Sequence, residues 1–544
     1  MNKIASYLNQ HLLGYVTASE LVREHFSTDA SPLKYTPELI AYPKNTNDIR
    51  KIAKFVWQLA DKNHVLPITA RGGGSDKTGA AIGSGIVMAL AGHMNNLFEI
   101  DDKQKLIRLQ PGASLKSVND ALRVKGLSIP SLAGAPLGAT IGGAVANNRR
   151  GPLAGKYGPI YKWTHQLEVV LASGEVLQTG RISKRELNKR KGLATFEGEI
   201  YRKIDGIIAD NKQLIDEQIS GDHLDRRGYG SIAEVIRKDG SFDLTPLFVG
   251  SQGTLGIVSE MIMKADFVST SSSVMAVKFA SLDEARDAVE QLVKTAPAFV
   301  ELYSGELIAQ FKQRGMASET VEQLNPGKTG VLLLIGYDEF SSRARDRKLK
   351  QANRIMKDLS AVVVAGNGDD AGKLLAVRDT IVAALVPENS REVALPLFDG
   401  VYVPLERLDA FATSVAELAR KHRVNLPLYG SALEGIYSTR PVLQLSKVGD
   451  KQKVFKLTDE YEKLVVAHGG HFVAEGGEGR FKATISYRSL DDRVQDLYLE
   501  IKSIFDPYGL LNPGVKQPGD LKDLVSHLRP SGSIDSFANY VTAE

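Results

Sequence analysis

The chain has no cysteine among its 544 residues. That absence excludes disulfides, thiolate nucleophiles, Cys-ligated zinc and an iron–sulfur relay within the chain. It fits a reducing cytoplasm. Long apolar runs are missing as well. The opening "MNKIASYLNQHLLGYVTASE" lacks the apolar core of a secretory signal, and no later segment approaches the about 18 apolar residues of a membrane-spanning helix. A cytoplasmic protein without a transmembrane segment is expected. Nor is there a surplus of one charge: 68 basic against 64 acidic side chains leave +4. No basic block of the kind that binds nucleic acid is present, so nucleic acid is not an expected partner. The densest cationic run, "RISKRELNKRKG" at Arg181 to Gly192, reads as a solvated loop. Peripheral contact with an anionic membrane surface is its alternative.

Glycine, by contrast, is plentiful at 50 residues. The stretch "PITARGGGSDKTGAAIG", Pro67 to Gly83, raises the question of what needs so bare a backbone. A Walker-type loop needs Lys and then Ser or Thr after its last glycine; Gly74 and Gly79 have the spacing, but Ala80 and Ala81 follow. A dinucleotide fingerprint starts at Gly72 and Gly74 and is broken by Lys77. An anion cradle of successive N–H groups is the expected use, with a bare hairpin turn as the alternative. Two further stretches follow, "LAGAPLGATIGGAVANNRRGPLAGKYG" from Leu132 and "LFVGSQGTLGIVSE" from Leu247. Together the three would line an extended cofactor with a pyrophosphate at its middle, with Ser75, Thr78, Thr140 and Thr254 adding hydroxyls.

Between them the pattern is α+β. Ile49, Ile52, Phe55, Val56 and Leu59 share a helical face. Ser114 caps a second helix that turns Leu115, Val118 and Leu122 inward and ends at Gly126. A hairpin turns at Ser173-Gly174, and from about Thr270 strand–helix units recur, the first opened by a capping box of Ser281 and Glu284.

In order along the chain stand R-G-G-G-S-x-x-x-G, T-I-G-G-x-x-A-N-N-x-x-G-x-x-x-x-x-Y-G, G-S-Q-G-T-L-G-I and F-D-P-x-x-L-L-N-P-G. This series resembles the vanillyl-alcohol oxidase/p-cresol methylhydroxylase flavoprotein superfamily, in its glycolate oxidase and D-lactate dehydrogenase branch. The resemblance implies an α+β fold with a two-subdomain FAD-binding domain at 36–267 and an inserted α+β cap at 268–465. Before them lies an N-terminal helical segment at 1–35; after them, 466–516 returns to the flavin and 517–544 is a polar tail. Carried over, Arg71, Gly72, Gly73, Gly74, Ser75, Thr78 and Gly79 would hold the pyrophosphate. Gly138, Ala139, Thr140, Gly142 and Gly143 would form a second cradle, with Pro136, Asn147, Gly151, Tyr157 and Gly158 nearby. Gly253, Thr254, Gly256 and Ile257 would border the adenine or ring region, and Asn512 would approach the flavin. Many relatives attach FAD through a histidine in the first loop; Ser75 stands there, so non-covalent FAD is expected.

The chain departs from the branch at its metal motifs. The cap segment "LPLYGSALEGIYSTRP" has no histidine, and the later E-H-G-I-G reads "EGGEG", with Gly476 for His and Glu478 for Ile. Gln252 replaces the usual Glu of the third glycine stretch. His468, His471 and Glu475 lie close in sequence, but Gly469 and Gly470 separate the histidines, so no metal is expected. Side chains then carry the chemistry. Arg378 leads the candidates for a carboxylate fork, followed by Arg440 and Arg480, and Tyr437 or Glu475 is the candidate base. The expected function is FAD-dependent oxidation of a small-molecule substrate, a 2-hydroxy acid or related alcohol, with a quinone, oxygen or a carrier protein as electron acceptor. The alternative is a catalytically altered flavoprotein acting as an electron-transfer or binding subunit.

Overall fold

The computed structural model describes residues 2–529 except 222–223, 270, 316–323, 360–361 and 388–390. The N-terminal half is built on a four-stranded and a five-stranded sheet. In the first, strands β1 (Tyr15–Thr17), β2 (Leu39–Tyr42), β3 (Ile68–Arg71) and β4 (Ile86–Ala89) lie in the order β1-β2-β4-β3, with β4 parallel to both β2 and β3. Helix α1 (Thr46–Ala60), capped by Asn45, covers this sheet with the expected Ile49, Ile52 and Val56, all fully buried. β3 runs straight into the first glycine stretch, so the loop emerges at the carboxyl end of a parallel strand, where open sheets of this kind form their crevices.

The second sheet is antiparallel. Strands β5 (Leu97–Asp101), β6 (Leu106–Leu109), β7 (Thr164–Val170), β8 (Val176–Gln178) and β9 (Ile257–Lys264) take the order β5-β6-β9-β7-β8. The β7–β8 hairpin turns at Ser173-Gly174, where Gly174 has φ +84°. Helix α2 (Leu115–Arg123) packs on this sheet, its N-cap Ser114 accepting from the Ser117 N–H at 3.0 Å.

The cap is built on a seven-stranded antiparallel sheet. Its strands are β10 (Ser273–Phe279), β11 (Phe299–Ser304), β12 (Val331–Tyr337), β13 (Val362–Asn367), β14 (Val401–Tyr402), β15 (Tyr429–Ser431) and β16 (Ile436–Ser438), in the order β13-β10-β12-β11-β15-β16-β14. Alternation sends Met275 and Val277 into one core and Val274 and Ala276 into another, so helices cover both faces.

Two expectations need correction. The basic run forms a helix, Lys184–Lys191, not a loop: Ser183 caps it, and Arg190 and Lys191 pair with Glu197 and Asp205. The polar tail begins later than residue 517, because Leu521–Ser526 is helical and Leu524 and Leu528 bury against the cap core. Arg529 donates to the carbonyls of Asp29 and Leu33, and Tyr35 stacks on His527 at 3.8 Å. Residues 530–544 lie outside the described residues. No helix among the described residues is long and apolar enough to cross a membrane.

Candidate active site

A cavity of about 410 Å³ opens between the glycine loops and the cap sheet. Its floor explains the glycines. A Cβ on Gly73 would sit 1.6 Å from the Gly138 carbonyl oxygen, and one on Gly72 would sit 2.1 Å from Thr140 Oγ1. The first two stretches are therefore pressed backbone to backbone, which side chains would forbid. The N–H groups of Gly73, Gly74 and Ser75 donate to no protein group among the described residues. The loop is held from its other end: Asp76 Oδ1 accepts from the N–H groups of Thr78 and Ala80 at 2.8 and 2.9 Å.

The second stretch differs from expectation. Ile141, Gly142 and Gly143 donate to Ala113 O, Pro111 O and Thr140 Oγ1, so these N–H groups are already satisfied. Their glycines serve close packing instead; a Cβ on Gly142 would lie 2.6 Å from the Pro111 side chain.

Of the residues expected at the cofactor, Arg71, Gly72, Gly73, Gly74, Ser75, Thr78, Pro136, Ala139, Thr140, Gly142, Gly143, Asn147, Gly151, Gly253 and Gly256 line the cavity. Gly79, Tyr157, Gly158, Thr254, Ile257 and Asn512 stand behind the wall, and Gly138 is exposed outside the cavity lining. Four of them are engaged within the protein. Tyr157 Oη donates to Asp338 in the cap at 2.7 Å, Thr254 Oγ1 donates to Ser251 O, and Ile257 belongs to the core of the first sheet. Asn512 is a bracket: it donates to Ala80 O and Gln252 O at 2.8 Å each and accepts from Thr69 and Arg480. Gln252 is a second hub, reaching Thr78, Asn147 and Gly476 through its amide nitrogen and accepting from the Gly479 N–H through its oxygen.

Three of the five catalytic candidates reach the cavity. Arg378 and Glu475 line the cavity. Tyr437 does not: Ile436 and Ser438 face the cavity, so alternation turns Tyr437 into the cap core, where burial drives its hydroxyl far above the ordinary range. Arg480 is likewise behind the wall, donating to Gly79 O and Asn512 and lying over the Tyr35 ring. Arg440 does reach the cavity, but its fork is filled by Asp399, at 3.0 Å from Nε and 2.6 Å from a terminal nitrogen. Of the histidines weighed for a metal, His468 meets Ser414 Oγ and His471 stacks on Tyr402, both away from the cavity.

Several lining residues escaped the sequence reading. Burial pushes the carboxyl of Asp399 up, but Arg440 and Lys77 prevail and hold it well below the usual carboxylate range. Lys482 is buried and donates to Asp399 O and Phe472 O; burial pushes its ammonium down to about 8. Arg149 has a buried Nε with no acceptor, and Arg150 is held by Glu434. Glu301 faces the cavity from β11, pushed up to about 8 by burial against the opposing Arg378, with Glu434, Glu475 and Asp379 adding to the rise. A lone acid in the apolar strand "AFVELYS" was the available signal for Glu301.

Residues 37–180 match the family described as "FAD binding domain", and residues 269–515 match "FAD linked oxidases, C-terminal domain". The chain belongs to the FAD-linked oxidases. It is similar to D-2-hydroxyglutarate dehydrogenase of Pantoea ananatis, with 24% identity over 93% of this chain and 50% of that protein. It therefore spans about half the length of such relatives. Glycolate oxidase subunit GlcD of Bacillus subtilis is 25% identical over 90% of this chain and 91% of its own. In fold the chain is similar to 4-ethylphenol oxidase from Gulosibacter chungangensis, with TM-score 0.67, 16% identity, and coverage of 93% of this chain and 95% of that one.

FAD, the cofactor of this family, fits the residues present. Three unclaimed N–H groups in the first loop suit a pyrophosphate, and the apolar sides of Pro111, Leu115 and Val258 in the cavity suit flat rings. The N-terminal residues hold the cofactor side of the cavity, and the cap with Glu475 and Lys482 closes the other.

Proposed function

We propose that this FAD-linked oxidase converts the C2 alcohol of a 2-hydroxy acid to the 2-oxo acid, with FAD bound non-covalently. The observation that carries the reading is Glu475. Its half-buried carboxylate lies on the cavity wall with no hydrogen bond or ion pair among the described residues, and its charge acts on Arg149 and Lys482. Bound FAD supplies the acceptor for the hydride, two electrons with one hydrogen, that leaves C2.

The chain's residues do the rest. Glu475 takes the hydroxyl proton as the carbonyl forms, a role that needs an ionised acid within hydrogen-bond reach of the alcohol. Lys482 keeps N–H capacity beyond its two backbone acceptors, and Arg149 keeps an unclaimed Nε; both suit the substrate carboxylate. Arg378 also lines the wall, but Asp379 holds its Nε at 2.7 Å and its guanidinium lies over Phe299. It acts as a positioning residue for that wall. The Asp399–Arg440–Lys77 cluster fixes the floor beneath Lys482. The electron acceptor is oxygen, a quinone or a carrier protein; without cysteine, this chain itself carries no iron–sulfur relay.

The test is spectroscopic. The purified protein is expected to show flavin bands, to leave its colour in solution after acid precipitation, and to bleach anaerobically with one class of 2-hydroxy acid while forming an equivalent of 2-oxo acid. Flavin bands that no 2-hydroxy acid bleaches would remove the reading.

A further inference from the structure

The cap wall opposite the glycine loops carries a polar patch fixed by strand register. On β11 and β15, Glu301 pairs with Ser431 and Tyr303 with Tyr429, and all four side chains line the cavity. Two members of the patch lack partners. Glu301 is 8% exposed and makes no hydrogen bond or ion pair among the described residues. Ser431 Oγ is buried and likewise has no hydrogen-bond partner. Buried polar groups are normally satisfied, so a neighbouring pair left open on a cavity wall is shaped for a ligand.

The chemistry of the pair selects that ligand. A carboxyl beside a hydroxyl accepts and donates at adjacent positions, as the hydroxyl groups of a polyol do. The surrounding charge disfavours a second anion: Glu434, Glu475 and Asp379 already oppose the ionisation of Glu301. The nearby guanidinium groups are engaged, Arg150 by Glu434 and Arg378 by Asp379. Because burial pushes Glu301 up to about 8, it is largely protonated at neutral pH and able to donate as well as accept.

Resting on the proposed oxidation of a 2-hydroxy acid, we infer that the Glu301–Ser431 pair selects a polyhydroxylated 2-hydroxy acid, of the sugar-acid class, over one that ends in a second carboxylate. The substrate carboxylate and C2 lie toward Lys482 and Glu475. The hydroxyl-bearing remainder reaches the cap sheet. A carboxylate at that end would meet Glu301, Glu434 and Asp379 and no unengaged cation among the residues just named.

The test compares kcat/KM, measured by anaerobic flavin reduction, for both enantiomers of lactate, 2-hydroxyglutarate, glycerate, trihydroxybutyrate and gluconate. The hydroxylated acids are expected to exceed 2-hydroxyglutarate by at least about tenfold, the worth of one hydrogen bond to a charged or buried group. In Glu301→Leu, and separately in Ser431→Ala, the ratio of hydroxylated acid to lactate is expected to fall. The oxidised flavin spectrum reports whether each variant has folded. A preference for 2-hydroxyglutarate or lactate in the unaltered protein overturns the inference and leaves the oxidation of 2-hydroxy acids standing. An unchanged ratio in both variants overturns the assignment to this pair. Failure of every acid to reduce the flavin overturns the oxidation itself, and the inference with it.

Discussion

Glu475→Gln is expected to lower kcat by about 10²–10⁴-fold, the range general-base removal produces, with the bound flavin spectrum retained. Glutamine keeps the size and one hydrogen-bonding oxygen but cannot take the hydroxyl proton. The fold should not depend on the carboxylate, because residue 475 is positioned by its backbone: its N–H donates to Gly400 O at 3.1 Å, and the glycine at 400 is required by the closeness of the Glu475 main chain. Rapid-mixing measurement of flavin reduction checks this. A loss below about tenfold would remove Glu475 as the base.

Lys516→Met is expected to destabilise the protein by about 3–5 kcal/mol, the usual consequence of leaving one charge of a buried pair alone. Lys516 and Glu478 form an ion pair at 2.8 Å with side chains 2% and 0% exposed. The second carboxylate oxygen of Glu478 accepts from the Gly228 N–H at 2.7 Å. The Lys516 carbonyl accepts from Tyr487 Oη, so the pair joins three segments far apart in sequence. The double variant Glu478→Gln/Lys516→Met should recover most of the loss, since glutamine still accepts from Gly228 and no buried charge remains. Denaturant unfolding of the three proteins checks both statements. A single variant within about 1 kcal/mol of the parent would show that water reaches the pair, as for exposed ion pairs.

The Glu478 case shows what was legible in the sequence. Its substitution into E-G-G-E-G stood out as a departure, but its partner Lys516 lies 38 residues on, and only the fold brings them together. Local signals were sound where local physics decides. Ser114 caps its helix, Gly174 turns its hairpin, and the apolar faces of α1 and α2 are buried. The capping box at Ser281 formed with a shift: Glu284 reaches the Ala280 N–H. The glycine stretches pointed to one cleft, yet the sequence could not say which glycines free N–H groups for a ligand and which allow two backbones to touch. Gly73 lies beside Gly138, 65 positions on in sequence. Strand parity likewise decided Tyr437, whose neighbours Ile436 and Ser438 line the cavity while it does not. Arg480 and Asn512 looked like site residues because they sit in motifs, and they prove to bind each other behind the wall.

The central claim is that the substrate loses hydride from C2 in the cavity between the glycine loops and the cap, with Glu475 taking the proton. Its most direct test is single-turnover bleaching of the flavin by a saturating 2-hydroxy acid carrying deuterium at C2. The account predicts bleaching that is slowed by the deuterium and slowed further in Glu475→Gln. Equal rates for the two isotopes, or a flavin that no 2-hydroxy acid bleaches, would contradict it and favour a flavoprotein that carries electrons or binds a partner without oxidising this substrate.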